Sequence, residues 1–97
     1  MASSVIKNTA SMVREISFNY TISANSTYNT NLKTLIDNDM PSGYRFGGIV
    51  GYSSNNVQVM TTNIGYYDSS YSLQLANRGG TSISSTLYRV FYLAMPN

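Results

Sequence analysis

Apolar and polar residues alternate strictly from Arg14 to Ser23, with Ile16, Phe18, Tyr20 and Ile22 on one side and Glu15, Ser17, Asn19, Thr21 and Ser23 on the other. Successive side chains of a strand point to opposite faces, so this period of two predicts a half-buried β-strand. Ala24-Asn25-Ser26 supplies turn formers, and alternation resumes through Tyr28, Thr30, Leu32, Thr34 and Ile36, which predicts a hairpin partner. Leu32, Leu35 and Ile36 also satisfy the i, i+3, i+4 spacing of a short helix, which stays open as an alternative. Asp37 to Gly43 concentrates turn residues and carries the chain to a new strand.

That strand, Tyr44 to Tyr52, alternates large residues with glycines, which inside strands mark bulges or a close approach of another group. Val57 to Ile64 and Tyr71 to Leu75 are further β-prone runs, separated by the turn-rich Gly65 to Ser70 and closed by Asn77-Arg78-Gly79-Gly80. The last run differs. From Leu87 to Met95 both sides are apolar, with Leu87, Phe91, Leu93 and Met95 on one and Tyr88, Val90, Tyr92 and Ala94 on the other. A strand of this kind is covered on both faces. The second cover is expected to be a neighbouring subunit, with the Met1 to Met12 segment as the alternative.

Six short strands joined by loops too short for crossover helices predict antiparallel pairing. The expected fold class is all-β: a small, jelly-roll-like antiparallel β-sandwich, oligomeric, with a polar lead-in over residues 1–12 and the sandwich over 13–97. At 97 residues the chain suits one domain with a modest core.

Composition removes several function classes. With no Cys and no His, the chain lacks disulfides, thiolate chemistry and the usual transition-metal ligands, so no metal or cofactor is expected. Six Lys and Arg against four Asp and Glu give +2, too sparse for a nucleic-acid footprint. No apolar stretch could span a membrane, and residues 1–12 lack the apolar core of a signal peptide. Ser, Thr, Asn and nine Tyr take the place of charge, a composition associated with extracellular or virion surfaces.

The acids are Glu15, Asp37, Asp39 and Asp68. Asp37 and Asp39 read as turn formers, with calcium coordination as the weaker alternative. No base is available to activate a Ser or Thr, and Gly47-Gly48 and Gly79-Gly80 lack a phosphate-loop context, so the protein is not expected to be an enzyme. Aromatic residues in polar loops are the more promising chemistry. A sugar presents an apolar face and a rim of hydroxyls, which a flat ring flanked by Asn, Asp or Arg can recognise. Tyr66, Tyr67, Asp68 and Tyr71 offer this, and either Tyr52 with Asn55 and Asn56 or Asn77 with Arg78 could complete such a site.

Pro41-Ser42-Gly43-Tyr44 leading into Gly48-Ile49-Val50-Gly51, then Leu75-Ala76-Asn77 and the closing Tyr88-Arg89-Val90-Phe91-Tyr92-Leu93, resembles the C-terminal tip domains of tailed-phage and prophage tail-fibre or baseplate proteins. The likeness follows the order of elements from about residue 14 to 95, and the chain departs from it at the extended Asp37 to Gly43 connection and the double Gly47-Gly48. It implies a trimeric β-sandwich that binds host-surface carbohydrate. It carries over no particular ligand residue, because the loops of such tips vary with the host. On that basis the threefold contact is expected at Met12 to Tyr20 and the last strand, through Phe18, Tyr20, Tyr88, Val90 and Tyr92. The loops at Asn55, Tyr67 and Arg78 are then expected to face polysaccharide. The rival expectation is a structural subunit or cap of a virion or surface fibre that oligomerises and binds no glycan.

Overall fold

The computed structural model describes residues 10–97. Most of the polar lead-in, and with it the alternative cover from Met1 to Met12, lies outside the described residues.

Six strands and one helix follow in the order β1 (Met12–Ile22), β2 (Ser26–Thr30), α1 (Leu32–Asp39), β3 (Tyr44–Ser54), β4 (Val59–Ile64), β5 (Leu73–Asn77) and β6 (Ile83–Pro96). They build two antiparallel sheets, a long one in the order β1-β6-β3 and a short one in the order β2-β5-β4. The all-β sandwich expected from the alternation is therefore present. Only β4 and β5 are consecutive strands that pair; every other connection passes between the sheets.

The expected hairpin is replaced by such a crossing. β1 pairs with β6 and β2 pairs with β5, because the turn at Asn25, which adopts φ 54, redirects the chain instead of folding it back. The alternation through residue 36 also gives way to the helical alternative. Asn31 caps α1, its side chain accepting from Thr34 N at 3.1 Å, and Leu32 and Ile36 turn one stripe into the core. The helix ends before Pro41, whose ring disfavours a helical residue at Met40. Asp37 and Asp39 thus belong to its last turn and not to a loop.

The long sheet needs two covers because its strands run for 11 to 14 residues while those of the short sheet run for 5 or 6. Over one half lies the short sheet. There Phe18, Tyr20, Tyr28, Tyr52 and Tyr88 form one aromatic cluster, and Tyr88 reaches across to Thr61 with a hydroxyl contact of 2.7 Å. Over the other half lie α1 and the loop after β4, where the Tyr66 ring stacks on Phe46 at 3.8 Å and 8°.

β6 is the central strand of the long sheet, which accounts for its doubly apolar character only in part. Tyr88, Val90, Tyr92 and Ala94 are fully buried between the layers, whereas Leu87, Phe91, Leu93 and Met95 on the reverse are half-buried. The subunit contact expected through Phe18, Tyr20, Tyr88, Val90 and Tyr92 is thereby corrected. Tyr20, at 3%, and the three β6 residues, at 0% exposed, build the chain's own core and cannot meet a partner without unfolding, while the half-buried Phe18 packs against that core. On β6 the apolar surface that remains is the reverse face.

Two bulges in β3 shape that reverse face. Gly48 sits at one of them with φ +135, a conformation that L side chains rarely adopt, and a Cβ on Gly47 would lie 2.6 Å from Met95 Cγ and Sδ. The glycines let Leu93 and Met95 lean across β3 and give a flat apolar surface flanked by exposed Val13 and Val50.

Candidate functional site

The topology separates the residues that the sequence suggested as one site. Tyr52, Asn55, Asn56, Asn77 and Arg78 gather at one pole, where the turns after β1, β3 and β5 meet. Asn25 N donates to Gly79 O at 3.1 Å and Asn55 N to Leu87 O at 3.0 Å. Tyr66, Tyr67, Asp68 and Tyr71 lie in the loop between β4 and β5 at the other pole, beside α1. The length of β4 stands between them, roughly 17 Å for five steps along a strand.

At the helix pole most polar groups are tied to one another. Ser72, buried, accepts from Leu32 N at 2.7 Å and donates to Thr30 O at 3.3 Å, so the loop clamps the start of α1. Asn31 donates to Asp68 Oδ1 at 2.7 Å while capping the helix with its other atom. The Tyr66 hydroxyl donates to Asp37, which also receives Lys33 Nζ at 2.7 Å. Hydrogen bonds from Lys33 and Tyr66 hold the Asp37 carboxyl below its ordinary value. Tyr66 and Asp68 are therefore fastening groups first.

Tyr67 and Tyr71 are different. The two residues are 44% and 57% exposed, yet the loop that carries them is fixed: Asn63 donates to the Tyr67 hydroxyl and to the Tyr71 carbonyl, and the Tyr67 ring lies directly over Gly65, leaving no room for a side chain there. Two flat apolar faces are thus presented on a fixed loop beside Asn63 and Asp68.

Beneath this pole, Asp39 accepts from Arg14 Nε at 3.0 Å and from the Tyr92 hydroxyl at 2.7 Å, joining α1 to the long sheet. Burial pushes the Asp39 carboxyl up, but the Arg14 and Tyr92 hydrogen bonds and the guanidinium charge outweigh it and leave it below its ordinary value. Asp37 and Asp39 each hold a cation and a phenol in place of the turn or calcium roles read from sequence. Among the described residues no group of three or more His, Cys, Asp or Glu comes together.

At the opposite pole an open cleft of about 320 Å³ is lined by Asn25, Ser26, Thr27, Ala76, Asn77 and Arg78. Asn77 is 1% exposed and fully engaged. Its amide donates to Thr81 O at 2.8 Å, Ser23 O at 3.2 Å and Ile22 O at 3.4 Å, and its oxygen accepts from Gly79 N at 3.0 Å. Its expected ligand role is corrected: it forms the cleft wall by satisfying carbonyls of the turns around it. Asn56 likewise accepts from Gln58 N at 2.8 Å and shapes its own turn. Tyr52 stacks on Tyr88 at 6.3 Å, with half its surface exposed. Arg78 is exposed at the cleft.

No signal in the sequence marked Asn25, Ser26 and Thr27 as neighbours of Arg78; only the pairing of β2 with β5 puts them there. No protein-family model, curated protein or solved structure matches this chain.

Proposed function

We propose that this domain is a host-surface carbohydrate-binding tip of a phage or prophage tail protein, with the helix pole as its saccharide platform. The observation that carries the proposal is the pair of exposed rings, Tyr67 and Tyr71, on a loop whose backbone and neighbouring side chains are already fastened. A ring held in place loses little freedom when a sugar stacks on it, so the stacking energy goes into affinity. Asn63 and Asp68, beside them in the same loop and strand end, supply the hydrogen-bonding rim. Binding of the purified protein to host cell-wall polysaccharide is the test. Tyr71→Ala, at an exposed position, is expected to weaken binding about tenfold, which corresponds to about 1.4 kcal/mol. Unchanged affinity would place the saccharide elsewhere.

A second proposal, an oligomerising subunit or cap of a virion or surface fibre that binds no glycan, draws support from the reverse face of β6. Phe91, Leu93 and Met95, with Val13 and Val50 at the margins, give an apolar strip that the Arg89–Glu15 pair bounds on the side of Leu87. Light scattering on a sizing column is expected to find a homotrimer that dissociates on Leu93→Glu. A wild-type monomer stable to dilution removes this proposal.

A further inference from the structure

Each described cation but one has a partner. Arg14 pairs with Asp39, Lys33 with Asp37 and Arg89 with Glu15, and Arg45 donates to the Pro96 carbonyl. The fourth acid, Asp68, accepts from Asn31. Arg78 alone has neither an acid nor a hydrogen-bond acceptor among the described residues, and it borders the 320 Å³ cleft. No carboxylate lines that cleft. Its other walls are amide, hydroxyl and one alanine, with no aromatic ring. The volume lies at the lower end of the range for small-ligand pockets, roughly 300–1,000 Å³.

We propose that this cleft is an anion-selective subsite that takes a sugar bearing a carboxylate. A guanidinium presents a planar fork that matches two carboxylate oxygens, and it is more weakly hydrated than an ammonium, so a free arginine at a cleft favours a planar oxyanion. The neighbouring Asn25, Ser26 and Thr27 offer hydrogen-bonding groups to a polyhydroxylated scaffold. Their positions are fixed. Asn25 is held in its left-handed conformation by the bond to Gly79 O, and Ser26 and Thr27 are paired in register with Asn77 and Ala76. The buried Asn77 ties three carbonyls and Gly79 N around the same wall, so the cleft is formed before any ligand arrives. The absence of an aromatic wall sets it apart from the tyrosine platform. Recognition here is by charge and hydrogen bonds instead of stacking. The anion preference stands on the cleft alone, while the sugar scaffold rests on the carbohydrate function proposed above.

Amide NMR spectra of the full chain, titrated at constant ionic strength with glucuronate, glucose, acetate and inorganic phosphate, separate the possibilities. Glucuronate is expected to shift the amides of residues 25–27 and 76–78 saturably and at least tenfold more tightly than glucose or acetate. Arg78→Gln should weaken this at least tenfold, with the rest of the spectrum unchanged, and Arg78→Lys should recover part of it. Unmoved cleft amides, or an R78Q variant that binds like the parent, would overturn the proposal. Acetate or phosphate binding as tightly as glucuronate would overturn the sugar assignment and leave a bare oxyanion site. Amides of residues 63–71 report the tyrosine platform separately. Saccharide shifts confined to them sink the cleft proposal and leave the platform intact, and shifts confined to the cleft do the reverse.

Discussion

Replacing Tyr88 with alanine is expected to remove about 3–5 kcal/mol of stability, the range for truncating a large buried aromatic side chain. The side chain is 0% exposed on the central strand of the long sheet, with ring centroids of Phe18, Tyr20 and Tyr52 at 5.7, 6.2 and 6.3 Å. Its loss empties the space where the two sheets meet, and neither sheet can collapse into the gap without breaking its register. A domain of this size is stabilised by only about 5–15 kcal/mol in total, so the variant should be close to unfolding. Tyr88→Phe keeps the ring and removes only the 2.7 Å contact with Thr61 Oγ1, for which about 0.5–1.5 kcal/mol is expected. Urea denaturation of both variants measures the difference. Equal losses would mean that the ring does not fill the core, and the inward assignment of the β6 tyrosines would fail.

That inward assignment was the point at which the sequence was ambiguous. β1 and β6 are legible as strands because their alternation is long and unbroken, but a strand apolar on both sides does not say which side is the core. The register settles it: Val90 lies opposite Ile16 and Tyr88 opposite Phe18, so the apolar face of β1 chooses its counterpart, while Leu93 and Phe91 lie opposite Gly48 and Gly51. The glycines of β3 were visible, but their partners across the sheet were not. The segment from Leu32 to Asp39 was ambiguous for another reason. It satisfies both periods, and what decides is Asn31 before it and Pro41 after it, local signals that were available. The hairpin failed because turn residues do not specify whether a chain folds back or crosses to a second sheet.

The candidate site divided for the same physical reason. Loops that share a composition need not share a pole, and the β4–β5 connection goes to the opposite pole from the turns around Asn55 and Arg78. Asn77 illustrates the converse. A polar residue at the end of an alternating strand reads as a surface group, yet it is buried because three carbonyls and one amide of the surrounding turns need a partner. Charge pairing was likewise out of reach of the sequence. Arg14 and Asp39 are 25 residues apart, and only the docking of α1 on the long sheet joins them and leaves Arg78, among the described residues, as the cation without a partner.

The same buried tyrosines predict an alkaline limit to the fold. Burial pushes the Tyr88 hydroxyl up to about 12, and burial together with the Asp39 hydrogen bond pushes Tyr92 up to about 12, from an ordinary value of 10.0. Below pH 10 both groups are protonated in folded and unfolded chains alike, and stability is independent of them. Between about pH 10 and 12 the unfolded chain releases protons that the folded chain retains, so stability falls as pH rises. Each pH unit corresponds to about 1.4 kcal/mol per group, so two units on each of two tyrosines amount to roughly 5 kcal/mol. A loss of that order is comparable with the whole stability of a small domain. Cooperative unfolding is therefore expected within this interval, with the tyrosinate absorbance of the buried rings appearing together with the loss of circular dichroism. Tyr92→Phe removes one of the two largest of these ionisations, beside the smaller upward shifts of Tyr20 and Tyr66, and should clearly reduce the pH dependence of the unfolding free energy, even though losing the Asp39 contact lowers stability at neutral pH. It is the slope and not the midpoint that isolates the ionisation. Stability that stays constant from pH 9 to 12 would mean that water reaches both hydroxyls and that the seam between the long sheet and its covers is open.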